Sequence, residues 1–384
     1  MTTANDTFSP AQYQTQLNTK IDKYQQTLAD FEVSDVVVFP SQPLGFRMRA
    51  EFRIWHEDGR AHYAMNRPGE KRPHIIHEFP IGGPLITQQM TPLLAAINRS
   101  TALSQKLFSL EFLTTTSGQT LITLIYHRRL DEVWEIAARA LQNELSVMVI
   151  GRSKKQKIVL DSDFVTETLQ IDDREYSYQQ IESGFTQPNA AVNVHMLTWA
   201  SQCLKGSRGD LVELYCGNGN FTAVLAQHFD QVLATEISKV SVRSAHTNFL
   251  SNNIENVSVV RMSSEELTQA LNKERPFRRL AEINLASYNF TTIFVDPPRA
   301  GLDEETLKLV CRFDNILYIS CNPETLAANL RQICATHQIE SVAAFDQFPW
   351  TTHLESGVLL KRKTGQGTPN MTTWSRFRRK LGTQ

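Results

Sequence analysis

Cysteine is scarce in this chain, and its placement excludes several kinds of site. The 384 residues contain five cysteines, none of them among the first 200 residues, and no two form a Cys-x-x-Cys pair. This distribution argues against a structural zinc site, an iron–sulfur cluster and a framework of disulfides. We therefore expect a protein without a metal centre.

The chain also lacks a long apolar run and a sizeable net charge. No stretch of about 18 apolar residues offers a membrane span, and the polar amino terminus has no basic-then-apolar signal peptide. We expect a cytoplasmic protein with no membrane contact and no obligate protein partner. Because the net charge is only −1, a face that binds nucleic acid must be a local basic patch.

The spacing of apolar residues predicts two domains. Residues 1–180 combine a surface helix over 9–30 with short strands, starting at Val36–Phe39, and further helices, which is typical of an α+β domain. Residues 181–363 alternate long helices with apolar strands. That alternation predicts βαβ units and a Rossmann-like α/β domain with a doubly wound, mostly parallel sheet.

A basic tail follows the second domain. Residues 364–384 contain no acidic residue, and they include Trp374 and Phe377 among several arginines. This composition predicts a flexible basic extension.

A glycine loop predicts where a cofactor binds. The segment 213–221, Glu-Leu-Tyr-Cys-Gly-Asn-Gly-Asn-Phe, lies between a predicted strand and a helix, and Gly217 and Gly219 permit a sharp turn close to a ligand. Glu236 ends the next strand, 19 residues after Gly217, where a carboxylate can accept hydrogen bonds from both hydroxyls of a ribose. The loop lacks the third glycine and the basic residue of a pyrophosphate site. It therefore favours S-adenosylmethionine over NAD.

A second motif, Asp-Pro-Pro-Arg over residues 296–299, places an acid at the carboxyl end of a predicted strand. Ligands of open α/β sheets bind at that edge. The motif is similar to the Asn/Asp-Pro-Pro-Tyr turn of amino-methyltransferases, which methylate exocyclic nitrogens of bases. Arg299 stands here at the position of their aromatic residue. A rigid loop in which Asp296 caps the next helix is the structural alternative.

Cys321 follows the next predicted strand, in Ile-Ser-Cys-Asn-Pro. Asn322 suits a helix N-cap and Pro323 suits the first helical position. A thiol beside a helix amino terminus is expected to have a lowered pKa. A nucleophilic thiol beside a methyl donor suggests methylation of a carbon that is inert until the thiolate adds to its ring, such as C5 of a pyrimidine.

Glu355 opens the last predicted strand of the same sheet. A carboxylate at this position can remove a proton from carbon during the reaction. An exposed glutamate at a strand end, without a chemical role, is an equally good interpretation of the sequence alone.

Together these motifs resemble the bacterial tRNA (uracil-5-)-methyltransferase family, of the TrmA type, over residues 8–361. The residues that carry the resemblance are 185–189, 213–221, 294–301, 320–325 and 353–357. The resemblance implies contacts to S-adenosylmethionine from Gln187, Tyr215, Asn220, Glu236 and Asp296. It also implies that Cys321 is the nucleophile and Glu355 the proton acceptor.

The resemblance further implies the substrate, a uridine of the tRNA T-loop that becomes 5-methyluridine (position 54), with transfer-messenger RNA as a candidate second substrate. It assigns the amino-terminal domain to the T-arm, with Phe108 stacking on a base and Arg49 and Arg53 near the RNA. We also assign Arg299 to the substrate, and we consider Arg47 and the Lys154–Lys157 cluster as phosphate contacts.

Three alternatives differ from this interpretation in what they require of the residues. A uracil methylase acting on ribosomal RNA would use the same candidate site residues. Related ribosomal RNA methylases, however, carry an iron–sulfur cluster held by amino-terminal cysteines, which this chain lacks. An exocyclic-amine methyltransferase would need the Asp-Pro-Pro turn but no cysteine. A non-catalytic RNA-binding protein would need only the basic residues.

Overall fold

The computed structural model describes residues 8–33, 35–66, 69 and 72–364, so the predicted tail from residue 365 onward lies outside the described residues. The helices of the described residues are α1 (Pro10–Thr27), α2 (Pro84–Arg99), α3 (Thr101–Ser104), α4 (Glu132–Leu145), α5 (Ala190–Leu204), α6 (Asn220–Leu225), α7 (Lys239–Ser251), α8 (Ser264–Leu271), α9 (Glu304–Val310) and α10 (Pro323–Ile333). The strands are β1 (Val36–Phe39), β2 (Arg49–Glu57), β3 (Arg60–Met65), β4 (His74–Ile75), β5 (Leu107–Thr114), β6 (Thr120–Tyr126), β7 (Met148–Ser153), β8 (Gln156–Val159), β9 (Phe164–Ile171), β10 (Arg174–Ile181), β11 (Asp210–Leu214), β12 (Val232–Thr235), β13 (Val257–Val260), β14 (Phe290–Val295), β15 (Asn315–Ser320), β16 (His337–Phe345) and β17 (Glu355–Arg362).

The chain forms two compact units whose boundaries differ from the expected one after residue 180. Within the described residues, the first unit comprises 8–13 and 41–193, and the second comprises 14–40 and 194–364. Most of α1 and all of β1 therefore belong to the second unit, although they precede the first unit in the chain. Local propensity predicts a strand at 36–39. Its assignment to the second unit depends on its pairing with β16, about 300 residues later in the chain.

The first unit contains the predicted α+β arrangement. Its main sheet has the order β4-β3-β2-β5-β6-β7-β8, and the pairs are antiparallel except for β6 with β7. Aromatic and aliphatic side chains from the sheet, from α2 and from α4 form one core, which includes the fully buried Phe52, Phe112 and Trp134. Strands β9 and β10 pair separately as an antiparallel hairpin.

The second unit contains the predicted doubly wound sheet. Its order is β1-β16-β17-β15-β14-β11-β12-β13, and only β17 runs antiparallel to its neighbours. After β1 at one edge, the chain returns to this sheet at β11, proceeds outward through β12 and β13, and then crosses back to β14. The sheet therefore has its topological switch point between β11 and β14, where open α/β sheets bind their ligands.

Helix α1 packs against the second unit through one face. Leu17, Lys20, Tyr24 and Leu28 recur at helical spacing and are all buried. Tyr24 and Leu28 join the core of the sheet, and the Lys20 ammonium donates to the Asp346 carboxylate over 2.6 Å and to the Phe348 carbonyl over 2.9 Å. The helix predicted at 9–30 is confirmed, but its buried face attaches it to the core.

Across the described part of the chain, no helix combines the length and apolar character needed to cross a membrane.

Candidate active site

The residues selected from the sequence in the second unit gather at one edge of its sheet. Glu236, Tyr215 and Asp296 each follow the last residue of a strand, and the register pairs Leu214 with both Thr235 and Val295. The three side chains therefore start from adjacent positions. Cys321 follows the end of β15, the next strand in the sheet.

The loop between β11 and α6 needs an unusual backbone. Tyr215, Gly217 and Gly219 all have positive φ, at 63°, 56° and 79°. At Gly219 a Cβ atom would lie 2.7 Å from the Phe249 ring, so only glycine fits there. A Cβ at Gly217 would meet nothing within 4 Å, so the loop has open space on that side. Asn220 begins α6 directly after the loop.

Glu236 fixes this loop to the next strand. Its two carboxylate oxygens accept hydrogen bonds from the backbone N–H of Gly217 at 3.1 Å and of Ser238 at 2.6 Å. A carboxylate has about four lone-pair sites, so both oxygens retain the capacity to accept from a ligand. Ile237, the next residue, is 66% exposed and presents an apolar surface beside the carboxylate.

The inner part of the site is acidic. Burial raises the pKa of Glu213 to about 8, an effect increased by the charge of Asp296 and reduced by the Thr222 hydroxyl. Burial also raises the pKa of Asp296 to about 7. The segment 213–221 contains no lysine or arginine. The absence of a basic residue opposes a pyrophosphate, and a cationic sulfonium bound here would favour the ionised form of the two carboxyl groups.

Cys321 and Glu355 lie opposite each other at the same edge. Strands β15 and β17 are antiparallel, and their last pair is Ser320 with Ser356, so Cys321 and Glu355 are the next two residues of that register. Glu355 is only 5% exposed. Burial raises its pKa to about 8, the charge of Asp296 adds to this effect, and Arg299 opposes it.

The expected lowering of the Cys321 pKa is wrong. Burial, followed by the charges of Glu355 and Asp296, raises the pKa of the thiol, and the Arg299 guanidinium only partly opposes this. The helix terminus itself is as predicted, because Asn322 caps α10 through a hydrogen bond from the Glu324 N–H at 3.1 Å. The sequence did not reveal that two carboxyl groups would surround the thiol.

Arg299 connects the Asp-Pro-Pro-Arg turn to the residues around Cys321. Its carbonyl accepts hydrogen bonds from the Asn322 amide at 3.2 Å and from the Thr325 hydroxyl at 3.3 Å. Its guanidinium lies 3.3 Å from Nε2 of His353. The turn, the start of α10 and the segment before β17 are therefore held together around Cys321.

A cavity of about 400 Å³ opens beside Cys321. One wall comes from α1, which the sequence did not associate with this site. The lining residues are Gln16, Thr19, Lys20, Lys23, Tyr24, Thr27, Arg299, Cys321, Asn322, Pro323, Glu324, Thr351, Thr352, His353 and Leu354.

In the first unit, Arg53 and Phe108 lie together, and a third residue accompanies them. The Arg53 guanidinium is 4.4 Å from the centre of the Phe108 ring. The exposed His127 imidazole stacks on Phe108 with 4.0 Å between ring centres and 23° between planes. His127 was not selected from the sequence, because it lies 19 residues from Phe108 and in no motif. The pairing of β5 with β6 brings the two together.

Arg49 is engaged within the first unit. Its guanidinium pairs with Glu111 and donates to the carbonyls of Glu182 and Gly184, each at 2.7 Å. Arg47 donates to the Arg49 carbonyl at 2.9 Å. These side chains hold the strands and the segment after β10 together.

A basic groove of about 1020 Å³ lies next to His127. No carboxylate belongs to its lining, which consists of Ile125, Tyr126, His127, Arg128, Arg129, Arg152, Ser153, Lys154, Lys155 and Gln156. Arg152 pairs with Glu182 at 2.5 Å, whereas Lys154 and Lys155 are exposed.

Gln187 belongs to the first unit and lies between β10 and α5. Its side-chain oxygen is buried without a hydrogen-bond partner. A buried amide oxygen without a partner costs free energy, so a donor from a ligand would improve this environment. Among the residues described, no group of three or more His, Cys, Asp or Glu side chains is placed to hold a metal ion.

Comparisons with known proteins agree with the geometry. Residues 12–363 match the family described as tRNA (Uracil-5-)-methyltransferase. The chain is 56% identical over 356 residues to a protein of Cellvibrio japonicus and 55% identical over 358 residues to one of Pseudomonas fluorescens, each named tRNA/tmRNA (uracil-C(5))-methyltransferase. These alignments cover 93% of this chain and 97% and 100% of the relatives.

A solved structure shares the fold. It is the Pyrococcus abyssi tRNA (uracil-54, C5)-methyltransferase in complex with S-adenosyl-L-homocysteine, with a TM-score of 0.69 and 21% sequence identity. The superposition covers 91% of this chain and 83% of that one. The architecture predicted from the sequence is therefore confirmed.

Proposed function

The chain belongs to the tRNA (uracil-5-)-methyltransferase family, and from this premise we propose how its residues perform that reaction. It is an S-adenosylmethionine-dependent methyltransferase that methylates C5 of uridine in tRNA. We propose that the target is the T-loop uridine at position 54 and that transfer-messenger RNA is a second substrate. The observation that carries the proposed chemistry is the pair of Cys321 and Glu355, opposed in register at the ligand-binding edge of the sheet.

The residues of the glycine loop fit S-adenosylmethionine. We propose that Glu236 holds the ribose, that Tyr215 and Asn220 contact the cofactor along the loop, and that Asp296 contributes to the acidic lining. We also propose Gln187, whose amide oxygen is unpartnered, as a cofactor contact. When bound, S-adenosylmethionine supplies an electrophilic methyl group.

Cys321 supplies the nucleophile in the proposed mechanism. Its thiolate adds to C6 of the uracil ring, which forms a sulfur–carbon bond and moves the ring electrons into an enolate with nucleophilic character at C5. C5 then takes the methyl group. The charge of Arg299 partly opposes the rise in the pKa of the thiol, so it favours the thiolate, and Arg299 also lines the cavity.

Glu355 completes the reaction. After methyl transfer, C5 carries both a methyl group and a proton. The ionised Glu355 removes that proton, the ring double bond forms again, and Cys321 leaves as a thiolate. Burial beside Asp296 makes Glu355 a stronger base than an exposed carboxylate, because it raises the pKa to about 8.

The target base must leave its stack to reach the thiol. We propose that the first unit binds the T-arm and offsets part of this cost. A displaced base stacks on Phe108 in place of the exposed His127 ring, and Lys154 and Lys155 in the basic groove offer phosphate contacts. Arg53 supports the Phe108 ring through its cation–π contact. Arg49 is left out of this set because it is engaged within the unit.

Incubation with labelled S-adenosylmethionine and an unmodified tRNA transcript, followed by nucleoside analysis, tests the function. We expect 5-methyluridine as the product, with the label lost when the T-loop uridine is replaced by cytidine. Methylated adenine would favour the amine-methylating alternative. Activity on ribosomal RNA and not on tRNA would instead assign the enzyme to that substrate.

Replacing Glu236 with alanine is expected to weaken S-adenosylmethionine binding roughly 10- to 150-fold, because hydrogen bonds to a charged acceptor contribute about 1.5–3 kcal/mol. Calorimetric titration measures the change. Glu255→Ala, which removes an exposed carboxylate of the same unit, is the matched control and should bind normally. Normal affinity in Glu236→Ala would refute the ribose assignment.

Replacing Phe108 with alanine is expected to weaken tRNA binding roughly 5- to 150-fold, since a stacked base contributes about 1–3 kcal/mol. Filter binding measures the affinity, and thermal unfolding measures the stability of each variant. Phe108→Leu separates the two roles of the ring, because it keeps an apolar side chain without a π-face. If the leucine variant binds tRNA as tightly as the parent, Phe108 acts through packing and not through stacking.

A further inference from the structure

Helix α1 presents a polar stripe to the cavity beside Cys321. Gln16, Thr19, Lys20, Lys23 and Thr27 all line it, and their spacing of three or four residues, with Lys20 next to Thr19, places them on one side of the helix. These residues belong to none of the sequence motifs, and the proposed mechanism does not use them. Their position next to the nucleophile is therefore unexplained.

The stripe is held rigidly against the segment that precedes β17. The Gln16 side chain accepts from the Trp350 N–H at 2.8 Å and donates to the Thr351 carbonyl at 3.3 Å. Lys20 is anchored to Asp346 in the interior. The wall thus keeps a defined distance from Cys321, as the wall of a binding site must.

Lys23 differs from these anchoring residues. It reaches Glu324 over 3.2 Å, but the Lys23 and Glu324 side chains are 72% and 70% exposed. Exposed ion pairs of this kind contribute little to stability, so the pair does not explain the position of Lys23. The cavity lining contains the cations Lys20, Lys23 and Arg299 and the single carboxylate of Glu324. Because Lys20 is neutralised by Asp346, Lys23 and Arg299 are the charges left to meet a ligand.

We propose that α1 is part of the substrate site and that Lys23 binds a phosphate of the RNA backbone next to the flipped uridine. This inference rests on the proposed function, since a uracil placed at Cys321 brings its ribose and flanking phosphates with it. A cavity of about 400 Å³ is within the size range of nucleotide-sized ligand sites. The phosphate lies between Lys23 and Arg299 and displaces Glu324 from Lys23, and the Thr19 and Thr27 hydroxyls line the same wall.

Substitutions of Lys23 and of Glu324 are expected to have opposite effects on RNA binding. Lys23→Gln should weaken the binding of an unmodified tRNA transcript about tenfold and raise KM without lowering kcat. It should also make the slope of log affinity against log salt shallower by about one. Glu324→Gln removes the group that competes for Lys23, so it should bind the transcript as tightly as the parent or more tightly. A pair that served only stability would affect binding in the same direction in both variants.

Lys308→Gln is the matched control. Lys308 is an exposed helical lysine of the same unit that also pairs with glutamates, Glu304 and Glu305, and it does not line the cavity. Its variant should bind tRNA normally. Unchanged affinity and salt slope in Lys23→Gln, or equal losses in Lys23→Gln and Glu324→Gln, would overturn the proposal.

The experiment separates this inference from the proposed function. Binding is measured independently of turnover, so an enzyme that binds RNA without forming 5-methyluridine would refute the function while the Lys23 variant still decides the inference. An active parent with an unaffected Lys23→Gln variant would refute the inference alone.

Discussion

Cys321→Ala is expected to lose methyltransferase activity by at least about 10⁴-fold while it still binds S-adenosylmethionine. Without the thiolate, C5 of uracil is too poor a nucleophile to take the methyl group, and removal of a covalent nucleophile eliminates the whole pathway rather than one contribution to it. Cys321 is half-buried at a strand end, so the small change in volume leaves the fold intact. Turnover of labelled S-adenosylmethionine measures the loss, and calorimetry measures cofactor binding.

Cys334→Ala is the matched control for this variant. Cys334 is also half-buried, and it follows the opposite end of the same helix, α10. Its loss should leave turnover unchanged. Full activity in Cys321→Ala, with methylated adenine as the product, would refute covalent catalysis and with it the role proposed for Glu355.

Glu355→Gln is expected to accumulate a covalent complex between protein and RNA. Addition of the thiolate and methyl transfer need no base at this position, but elimination requires removal of the C5 proton. The variant should therefore stop after methyl transfer, with the RNA attached to Cys321. A band that migrates more slowly in denaturing electrophoresis, and that carries both the protein and the labelled methyl group, would be the expected result.

The fold should tolerate Glu355→Gln well. A carboxyl group whose pKa is about 8 is largely protonated near neutral pH in the free protein, and an amide resembles that neutral form in shape and charge.

RNA containing 5-fluorouridine should trap the parent enzyme in the same way, because fluorine cannot leave as a cation. The double variant with Cys321→Ala should form no adduct, and an adduct in that variant would show that another residue is the nucleophile.

The candidate residues of the second unit could be assigned to one edge of the sheet from the sequence because they follow strand ends. Glu236, Asp296 and Cys321 each come directly after a buried apolar run, and in a parallel sheet such positions share an edge. The loop of Gly217 and Gly219 was recognisable because only glycine suits its backbone without strain. Strand ends and glycine turns are local features, so a short segment of sequence is enough to predict them.

What the sequence could not predict depends on contacts between distant segments. Strand β1 is locally an ordinary strand, and only its pairing with β16 assigns it to the second unit. The pKa of Cys321 depends first on its burial and then on two carboxyl groups that arrive from other strands. Arg49 and Arg53 both lie on β2 with three residues between them, yet their different neighbours place one in a structural ion pair and the other in an aromatic stack.

The split organisation of the second unit has a consequence for synthesis and engineering. Its first pieces, α1 and β1, leave the ribosome about 300 residues before β16, with which β1 pairs. Until then the parallel strands that carry the chemistry have no completed edge, and such late, long-range pairing slows folding and exposes partly formed sheets to aggregation. A fragment that starts at residue 194 would leave one side of β16 unpaired and Asp346 buried without Lys20, a loss of about 3–5 kcal/mol for the ion pair alone. A fragment meant to contain the second unit should therefore retain residues 14–40, joined by a linker to the remainder of the unit.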